Sequence, residues 1–231
     1  MTRRRIATYR LQLTPHFRFA EAQRLLPYLR DLGISHVYLS PVFEARRGSE
    51  HGYDVTDPTR IRAEFGGTKA FDAFAIAARD LGLGIVLDLV PNHMAASPEN
   101  PYFRDVLEAG SRSPFAMWFD VDWERSIPGP AGRVVLPLLH ESLRDALARR
   151  LIRVEFGGPG FEVVYRGTRL PVHPRTWRSI FEIHLPQLAN VLGIEHAGYR
   201  TLLELIDDAE RLRESMEGRP SSLQELDHSR R

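Results

Sequence analysis

A carboxylate inside an apolar segment is followed five positions later by an imidazole in the stretch Asp88-Leu89-Val90-Pro91-Asn92-His93. The run Ile85–Val90 is apolar on both faces apart from Asp88, a pattern typical of a buried parallel strand. Ligands bind at the carboxyl ends of such strands, so Asp88 and His93 are candidate binding residues. Since a buried carboxylate needs donors or a cation, we expect an arginine from a neighbouring strand to pair with Asp88. A purely structural carboxylate followed by a Pro91-Asn92 turn fits the spacing equally well.

A second group of polar residues lies in the loop Gly48–Asp54, which follows the preceding predicted strand. An aromatic ring packs on the C–H face of a sugar, while carboxylates and imidazoles bind its hydroxyl groups. His51, Tyr53 and Asp54 therefore predict a site for a polyol at the same sheet end as His93. The alternative is a solvated turn without a ligand.

Strand and helix patterns alternate through the first ninety residues, which indicates a parallel α/β sheet or barrel. The predicted elements are strands Ile6–Leu13, His36–Ser40 and Ile85–Val90, and helices Phe19–Leu32 and Thr68–Leu81. The segment Phe43–Gly67 between them is predicted to be a loop. Pro27 interrupts the apolar face of its helix, although a proline is tolerated best near a helix start. We expect Gly33 to end that helix and Thr68 to be an N-cap.

The alternation of strand and helix patterns ends after Val90, where the composition predicts an inserted α+β subdomain followed by helices. The predicted elements are helices Pro101–Glu108 and Glu141–Arg150, a strand Arg133–Leu139, a hairpin of Leu151–Phe156 and Phe161–Tyr165 around Gly157–Gly160, helices Ser179–Leu192 and Gly198–Met216, and a polar tail Glu217–Arg231. The predicted domains are residues 1–91 (first βα units), 92–174 (inserted subdomain) and 175–231 (helical segment with its tail).

Composition excludes several classes of function. The chain has 231 residues, a formal net charge of +1 and no cysteine. A near-neutral chain gives no reason to expect nucleic acid, and the absence of cysteine excludes disulfides and thiolate sites. No phosphate-binding glycine motif is present and the histidines lack ligand spacing, so we expect no cofactor and no metal.

The start of the chain is too polar for a signal peptide, and no apolar run is long enough for a membrane span. We therefore expect a cytoplasmic protein without a membrane partner. Trp118, Phe119 and Trp123 form an aromatic group that could stack on sugars, although packing within the subdomain is the favoured interpretation.

The stretch Asp88–His93 resembles the first conserved region of the α-amylase superfamily, glycoside hydrolase family 13, and Gly52-Tyr53-Asp54 resembles its loop after strand two. An ordered set of motifs, over roughly Arg5 to Glu124, resembles the malto-oligosyltrehalose synthase branch of that family. The motifs are Thr8–Leu13, Tyr38–Pro41, His51–Asp54, Pro91–Met94, Ser97–Pro101 and Phe119–Trp123.

The resemblance implies an intramolecular transglycosylase that turns the reducing-end α-1,4 bond of a malto-oligosaccharide into an α,α-1,1 trehalose bond. Tyr53 would stack on the sugar at the reacting subsite, and His93 would bind that sugar's hydroxyl groups. Asp88 would hold the architecture of the site, with His51 and Asp54 shaping its rim. The implied partner is a malto-oligosaccharide or another α-glucan.

The resemblance also implies catalytic groups that this sequence lacks. Retaining enzymes of the family need two carboxylates about 5–5.5 Å apart. The family's nucleophile lies in a strand-four stretch like Gly-Leu-Arg-Ile-Asp-His, and the nearest string here, Gly193–His196, has neither the arginine nor the aspartate. We therefore expect no catalytic residue in the chain, which would be the N-terminal part of such an enzyme and inactive alone.

The predicted fold class is α/β, a partial (β/α)8 TIM barrel of about three βα units that is not closed, with an inserted α+β subdomain. Three strands cannot close a barrel, so we expect unpaired strand edges and an exposed apolar face. Three alternatives stay open: a non-catalytic α-glucan-binding or interaction module, a split enzyme that needs a separate C-terminal portion, and part of another amylase-family glycoside hydrolase.

Overall fold

The computed structural model describes residues 6–124, 132–157 and 160–217. The chain divides into two compact units, the first ending at Pro101 and the second beginning at Tyr102. Most of the predicted polar tail and part of the predicted Gly157–Gly160 turn lie outside the described residues.

Three parallel strands and two helices build the first unit. They are β1 Thr8–Leu11, α1 Phe19–Asp31, β2 His36–Leu39, α2 Gly67–Asp80 and β5 Gly84–Leu87. The strand order is β1-β2-β5, with Arg10 level with Tyr38 and Tyr38 level with Val86. The predicted alternation of strand and helix is thus confirmed for these elements, each shortened or shifted by a few residues.

One face of this sheet forms the core of the first unit. Leu11, Val37 and Leu39 point to the helices, because residues of one strand alternate between its faces. The helices contribute apolar residues at helical spacing, including Phe19 and Phe74, which are fully buried. Each buried side chain of this size stabilises the fold by about 1.5–3 kcal/mol relative to exposure.

The opposite face of the sheet is polar. Arg10 and Tyr38 lie on it, and Asp88 follows at its carboxyl end, two residues after Val86. The expected apolar face is therefore not this face of the described strands, whereas Leu32, Ile76 and Leu89 are exposed apolar side chains elsewhere in the first unit. The residues on this face alternate along each strand with the core residues, and they are mostly polar.

Strand β5 differs from the fully buried strand that the sequence predicts. It ends at Leu87, its residues are only half-buried, and Leu89 is 53% exposed. Among the described residues β5 pairs only with β2, so its other edge has no strand beside it. The apolar run Ile85–Val90 is therefore longer than the strand and less buried than its composition predicts.

The helix ends confirm one predicted cap and correct another. Gly33 follows α1 with φ of +87°, and its N–H donates to the carbonyl of Arg30. Pro27 lies inside α1, in its C-terminal half. The N-cap of α2 is Gly66, with φ of +104°, which places Thr68 inside the helix and makes the predicted cap wrong.

The predicted loop Phe43–Gly67 contains two antiparallel strands, β3 Phe43–Ala45 and β4 Val55–Ile61. Their register shifts at two points, and three successive residues of the second strand, Pro58–Arg60, are exposed. The burial pattern therefore lacks the clean alternation by which a half-buried strand is recognised. The two strands form the stem of the loop that carries His51, Tyr53 and Asp54.

The second unit contains helices and one antiparallel sheet. Its elements are α3 Pro101–Ala109 (which begins at the boundary), α4 Leu143–Ala148, β6 Ile152–Gly157, β7 Gly160–Tyr165, β8 Thr168–Pro171, α5 Trp177–Leu192 and α6 Ala197–Glu217. The predicted hairpin is confirmed as β6 and β7, and β8 extends it to three strands. The predicted strand Arg133–Leu139 is wrong, since no strand pairs with it and Val135 is exposed.

Candidate functional site

Asp88 lies immediately after β5, on the polar face of the sheet. Its N–H donates to the carbonyl of Leu39 at 3.1 Å, which continues the pairing with β2 for one residue. Its side chain is 11% exposed and points to the same face as Arg10 and Tyr38. The strand therefore places a nearly buried carboxylate at the sheet end where ligands bind in parallel sheets.

Three donors surround the Asp88 carboxylate. The Arg10 guanidinium donates to Oδ2 at 2.8 Å, the Tyr53 hydroxyl donates to the same oxygen at 2.6 Å, and Tyr38 is the third donor. The guanidinium also lies over the Tyr38 ring, 4.9 Å from its centroid. The expected arginine is therefore present, but on β1, two strands away from β5, because its side chain crosses above Tyr38.

The surroundings of Asp88 keep it ionised. Burial raises the pKa of the carboxyl, but hydrogen bonds from Arg10, Tyr53 and Tyr38 outweigh this effect and lower the pKa below its ordinary value. The hydrogen bond to Asp88 raises the pKa of the Tyr38 phenol. Asp88 is therefore a permanent acceptor that orients two phenol rings, and it is poorly suited to donate a proton.

The loop Gly48–Asp54 is closed by hydrogen bonds within itself. The buried Ser49 hydroxyl donates to Asp54 and accepts the N–H of Gly52 at 3.1 Å. Gly52 has φ of +77°, and a Cβ atom there would lie 3.1 Å from the side chain of Pro41. A side chain at this position would therefore strain both the backbone and the packing against Pro41.

His51 and Tyr53 lie side by side on this loop. Their ring centroids are 5.9 Å apart at an interplanar angle of 17°, and His51 Nδ1 accepts the N–H of Tyr53 at 3.0 Å. Asp54 lies 3.9 Å from the same nitrogen. The three predicted rim residues are therefore in one loop, with the Tyr53 hydroxyl reaching down to Asp88.

His93 is exposed and lies against the same loop. Its Nε2 is 3.2 Å from the carbonyl oxygen of Tyr53, and its Nδ1 is 2.9 Å from the side-chain oxygen of Asn92. The structure therefore brings His93 and Tyr53 together, as the sequence predicts. Both ring nitrogens already have neighbours, so a sugar hydroxyl must displace one of them to bind His93.

Comparison with known proteins decides the family. The sequence model described as "Alpha amylase, catalytic domain" matches residues 22–170 of this chain. The chain belongs to the α-amylase catalytic-domain family. Within the described residues, the parallel sheet of this amylase-family chain has three strands and no closed barrel.

Its relatives include trehalose-forming enzymes. A Mycobacterium tuberculosis protein assigned as a maltooligosyl trehalose synthase is 47% identical over 141 residues, which cover 58% of this chain and 18% of that protein. A solved maltooligosyl trehalose synthase is 40% identical, with a TM-score of 0.68 over 73% of this chain and 22% of that one. The Arthrobacter ramosus maltooligosyltrehalose synthase structure is 39% identical, with a TM-score of 0.65 over 72% and 21%. The chain thus spans about a fifth of the length of these relatives.

Sequence reasoning missed two residues that hold the loop Gly48–Asp54 of the candidate site. The Gln12 amide donates to the carbonyl of Glu50 at 3.3 Å and accepts from Arg10 at 3.2 Å. The Glu99 carboxylate accepts the N–H of Arg47 at 2.8 Å. Gln12 could have been predicted as a site residue, because it follows Arg10 by two residues and so lies on the same face of the strand. No sequence pattern around Glu99 predicts its contact with the loop.

Two other sequence candidates lie elsewhere. Two members of the aromatic group contact other rings, with the Trp118 ring 4.9 Å from Tyr102 and the Phe119 ring 5.0 Å from Phe103, although Trp118 is 53% exposed. The string Gly193–His196 forms the turn between α5 and α6, where the exposed Glu195 pairs with an arginine.

The geometry favours binding over proton transfer. Both carboxylates of the candidate site, Asp54 and Asp88, accept hydrogen bonds from the protein's own side chains. No three potential metal-ligand side chains cluster anywhere in the described ranges, and the absence of a metal stays a prediction. None of the helices in that part of the chain is long and apolar enough to cross a membrane.

Proposed function

We propose that this chain supplies the sugar-binding part of a malto-oligosyltrehalose synthase-like enzyme. The observation that carries the proposal is the hydrogen-bonded group of Asp88, Arg10 and Tyr53 behind an aromatic rim. The similarity to trehalose synthases supports it. The reaction breaks an α-1,4 bond at the reducing end and forms an α,α-1,1 bond within the same molecule.

Each site residue has a separate proposed role. Tyr53 stacks on the sugar at the reacting subsite, because its ring is held by its hydroxyl and remains at the rim. His93 binds a hydroxyl group of that sugar through a ring nitrogen. Asp88 holds the site together, and His51 and Asp54 shape the loop around it.

We further propose a partial (β/α)8 barrel of about three βα units, with residues 1–91 as barrel, 92–174 as inserted subdomain and 175–231 as helical segment. The alternation β1-α1-β2-α2-β5 supports the first of these assignments. The other two rest on the change in composition after Val90.

The 231-residue chain alone is proposed to be inactive. A retaining mechanism needs a nucleophile and an acid/base, and Asp88 and Asp54 are engaged in structural hydrogen bonds. Purified protein incubated with maltopentaose should therefore yield no trehalosyl product. Appreciable trehalosyl product would refute this part of the proposal.

A chimera tests the function itself. This chain would replace the matching segment of the Arthrobacter ramosus enzyme, whose remaining residues would supply the catalytic groups. The chimera should form a trehalose end, and H93A within it should reduce turnover by at least a hundredfold, because hydroxyl contacts of this kind strengthen in the transition state. H184A, in the exposed His184 of α5, is the matched control. A chimera that folds but only hydrolyses maltopentaose would favour another amylase-family hydrolase.

A non-catalytic α-glucan-binding module is the second candidate. The engagement of both Asp54 and Asp88 in internal hydrogen bonds favours it. A monodisperse chain that binds maltoheptaose at millimolar or lower concentration, with an inactive chimera, would support this module. A split enzyme would instead gain activity when a separate C-terminal portion is added. A cytoplasmic location and the absence of nucleic-acid, membrane and cofactor partners remain predictions.

A further inference from the structure

The second unit contains a cavity that the proposed sugar site does not use. It has a volume of about 780 Å³. Its walls come from the end of α3, the turn at residues 110–112, residues 132–136 and the segment 170–176. It is therefore enclosed by segments far apart in the sequence but within one compact unit.

The charged side chains that line this cavity are cationic. Arg112, Arg133 and Arg175 all border it, His173 lies beside them, and none of the described residues in the lining is a carboxylate. Burial, followed by the positive charges of Arg175 and Arg112, lowers the pKa of His173. Arg112 and Arg175 therefore both lie close enough to His173 to act on its charge.

A further donor faces the same cavity. Trp123 belongs to the lining, and its buried indole nitrogen has no hydrogen-bond partner among the described residues. Indole nitrogen can only donate, and buried donors without a partner are rare in proteins. Together with the guanidinium groups it presents donors to the cavity from several sides, which suits a ligand rich in acceptor oxygens.

We propose that this cavity binds a phosphate group, either as inorganic phosphate or as part of a sugar phosphate. A single guanidinium matches a planar carboxylate, whereas several guanidinium groups and an N–H match the four oxygens and the double charge of phosphate. The volume accommodates a hexose attached to that phosphate. The proposal is independent of the glucan site, because every residue that it uses lies in the second unit.

Titration of the whole chain with inorganic phosphate, glucose 6-phosphate and glucose tests the proposal, with calorimetry and tryptophan fluorescence as readouts. Phosphate should bind saturably below 10 mM and change the fluorescence, and W123F should abolish that change. R133Q should weaken phosphate affinity at least fivefold, since Arg133 is exposed and its replacement leaves the core intact. R144Q, in an exposed arginine of α4 outside the cavity, should bind like the wild type.

The two probes separate the sources of the phosphate. Tighter binding of glucose 6-phosphate than of phosphate identifies a sugar phosphate, and equal binding identifies the free anion. Absence of saturable phosphate binding, equal weakening by R133Q and R144Q, or binding of glucose without phosphate would overturn the proposal.

Discussion

Asp88 in the first unit and Glu162 in the second are both mostly buried carboxylates, but their charges are balanced by different partners. Glu162 lies on β7, is 8% exposed, and is paired with Arg104 and Arg169 at 2.7 Å each. Asp88 has one arginine and two phenol hydroxyls. One carboxylate is therefore surrounded by two full charges and the other by one charge and two aromatic rings.

This difference separates a structural ion pair from a candidate binding site. The hydrogen bond from Arg169 is the largest influence on Glu162 and lowers its pKa, with burial acting against it. At Asp88 burial is the largest influence, and only the combined hydrogen bonds overcome it. The two phenol groups that donate to Asp88 also hold their aromatic rings in fixed positions at the end of the sheet.

The largest expected effect is that of E162Q. Removing the charge leaves two arginines without their buried partner, which should destabilise the second unit by about 3 kcal/mol. All three tryptophans of the sequence lie in that unit, so denaturant unfolding followed by their fluorescence measures it. E155Q removes a more exposed partner of Arg169 and should cost less than about 1 kcal/mol. Equal effects of the two variants would contradict the comparison.

D88N should have a smaller effect, about 2 kcal/mol, because Arg10 is partly solvated while the two phenols can still donate to the amide oxygen. Hydrogen exchange of β2 and β5 amides measures it, since the first unit has no tryptophan. The exposed D31N is the control and should change exchange by less than about 0.5 kcal/mol.

The pH dependence of D88N follows from the lowered pKa of Asp88. A carboxyl with a lower pKa in the folded state contributes stability above its unfolded pKa of about 3.9 and loses it as the pH falls through the folded pKa. The difference in stability between wild type and D88N should therefore be constant near neutral pH and shrink below about pH 4. If the difference in stability between wild type and D88N grows as the pH falls, the pKa of Asp88 is raised and not lowered by folding.

Y53F should have the smallest effect on stability, about 1 kcal/mol, because it removes one hydrogen bond to Asp88 and keeps the ring. Exchange of the β5 amides is again the measurement. Y28F, in the exposed Tyr28 of α1, should be neutral. A neutral Y53F would mean that the Tyr53 hydroxyl does not support the carboxylate.

Much of the first unit could be predicted from the sequence, because its helices are amphipathic and its strands are bounded by glycine and proline. The pairing of His93 with the Tyr53 loop was predictable from their positions after neighbouring strands. The hairpin β3–β4 could not be predicted, since its register is irregular and its burial does not alternate. The sequence also could not show that Arg10 is the arginine that pairs with Asp88. Arg10 reaches Asp88 across Tyr38, and this contact depends on the register of three strands and not on any local sequence pattern.

Titration of maltoheptaose into the wild-type chain, Y53A and Y53F tests the central claim most directly. The wild type should bind at millimolar or lower concentration, Y53A should bind at least tenfold more weakly, and Y53F should stay within about threefold of the wild type, because stacking needs the ring more than the hydroxyl. No binding by a folded, monodisperse wild type, or equal affinity of wild type and Y53A, would contradict the assignment of Asp88 and Tyr53 to a glucan site.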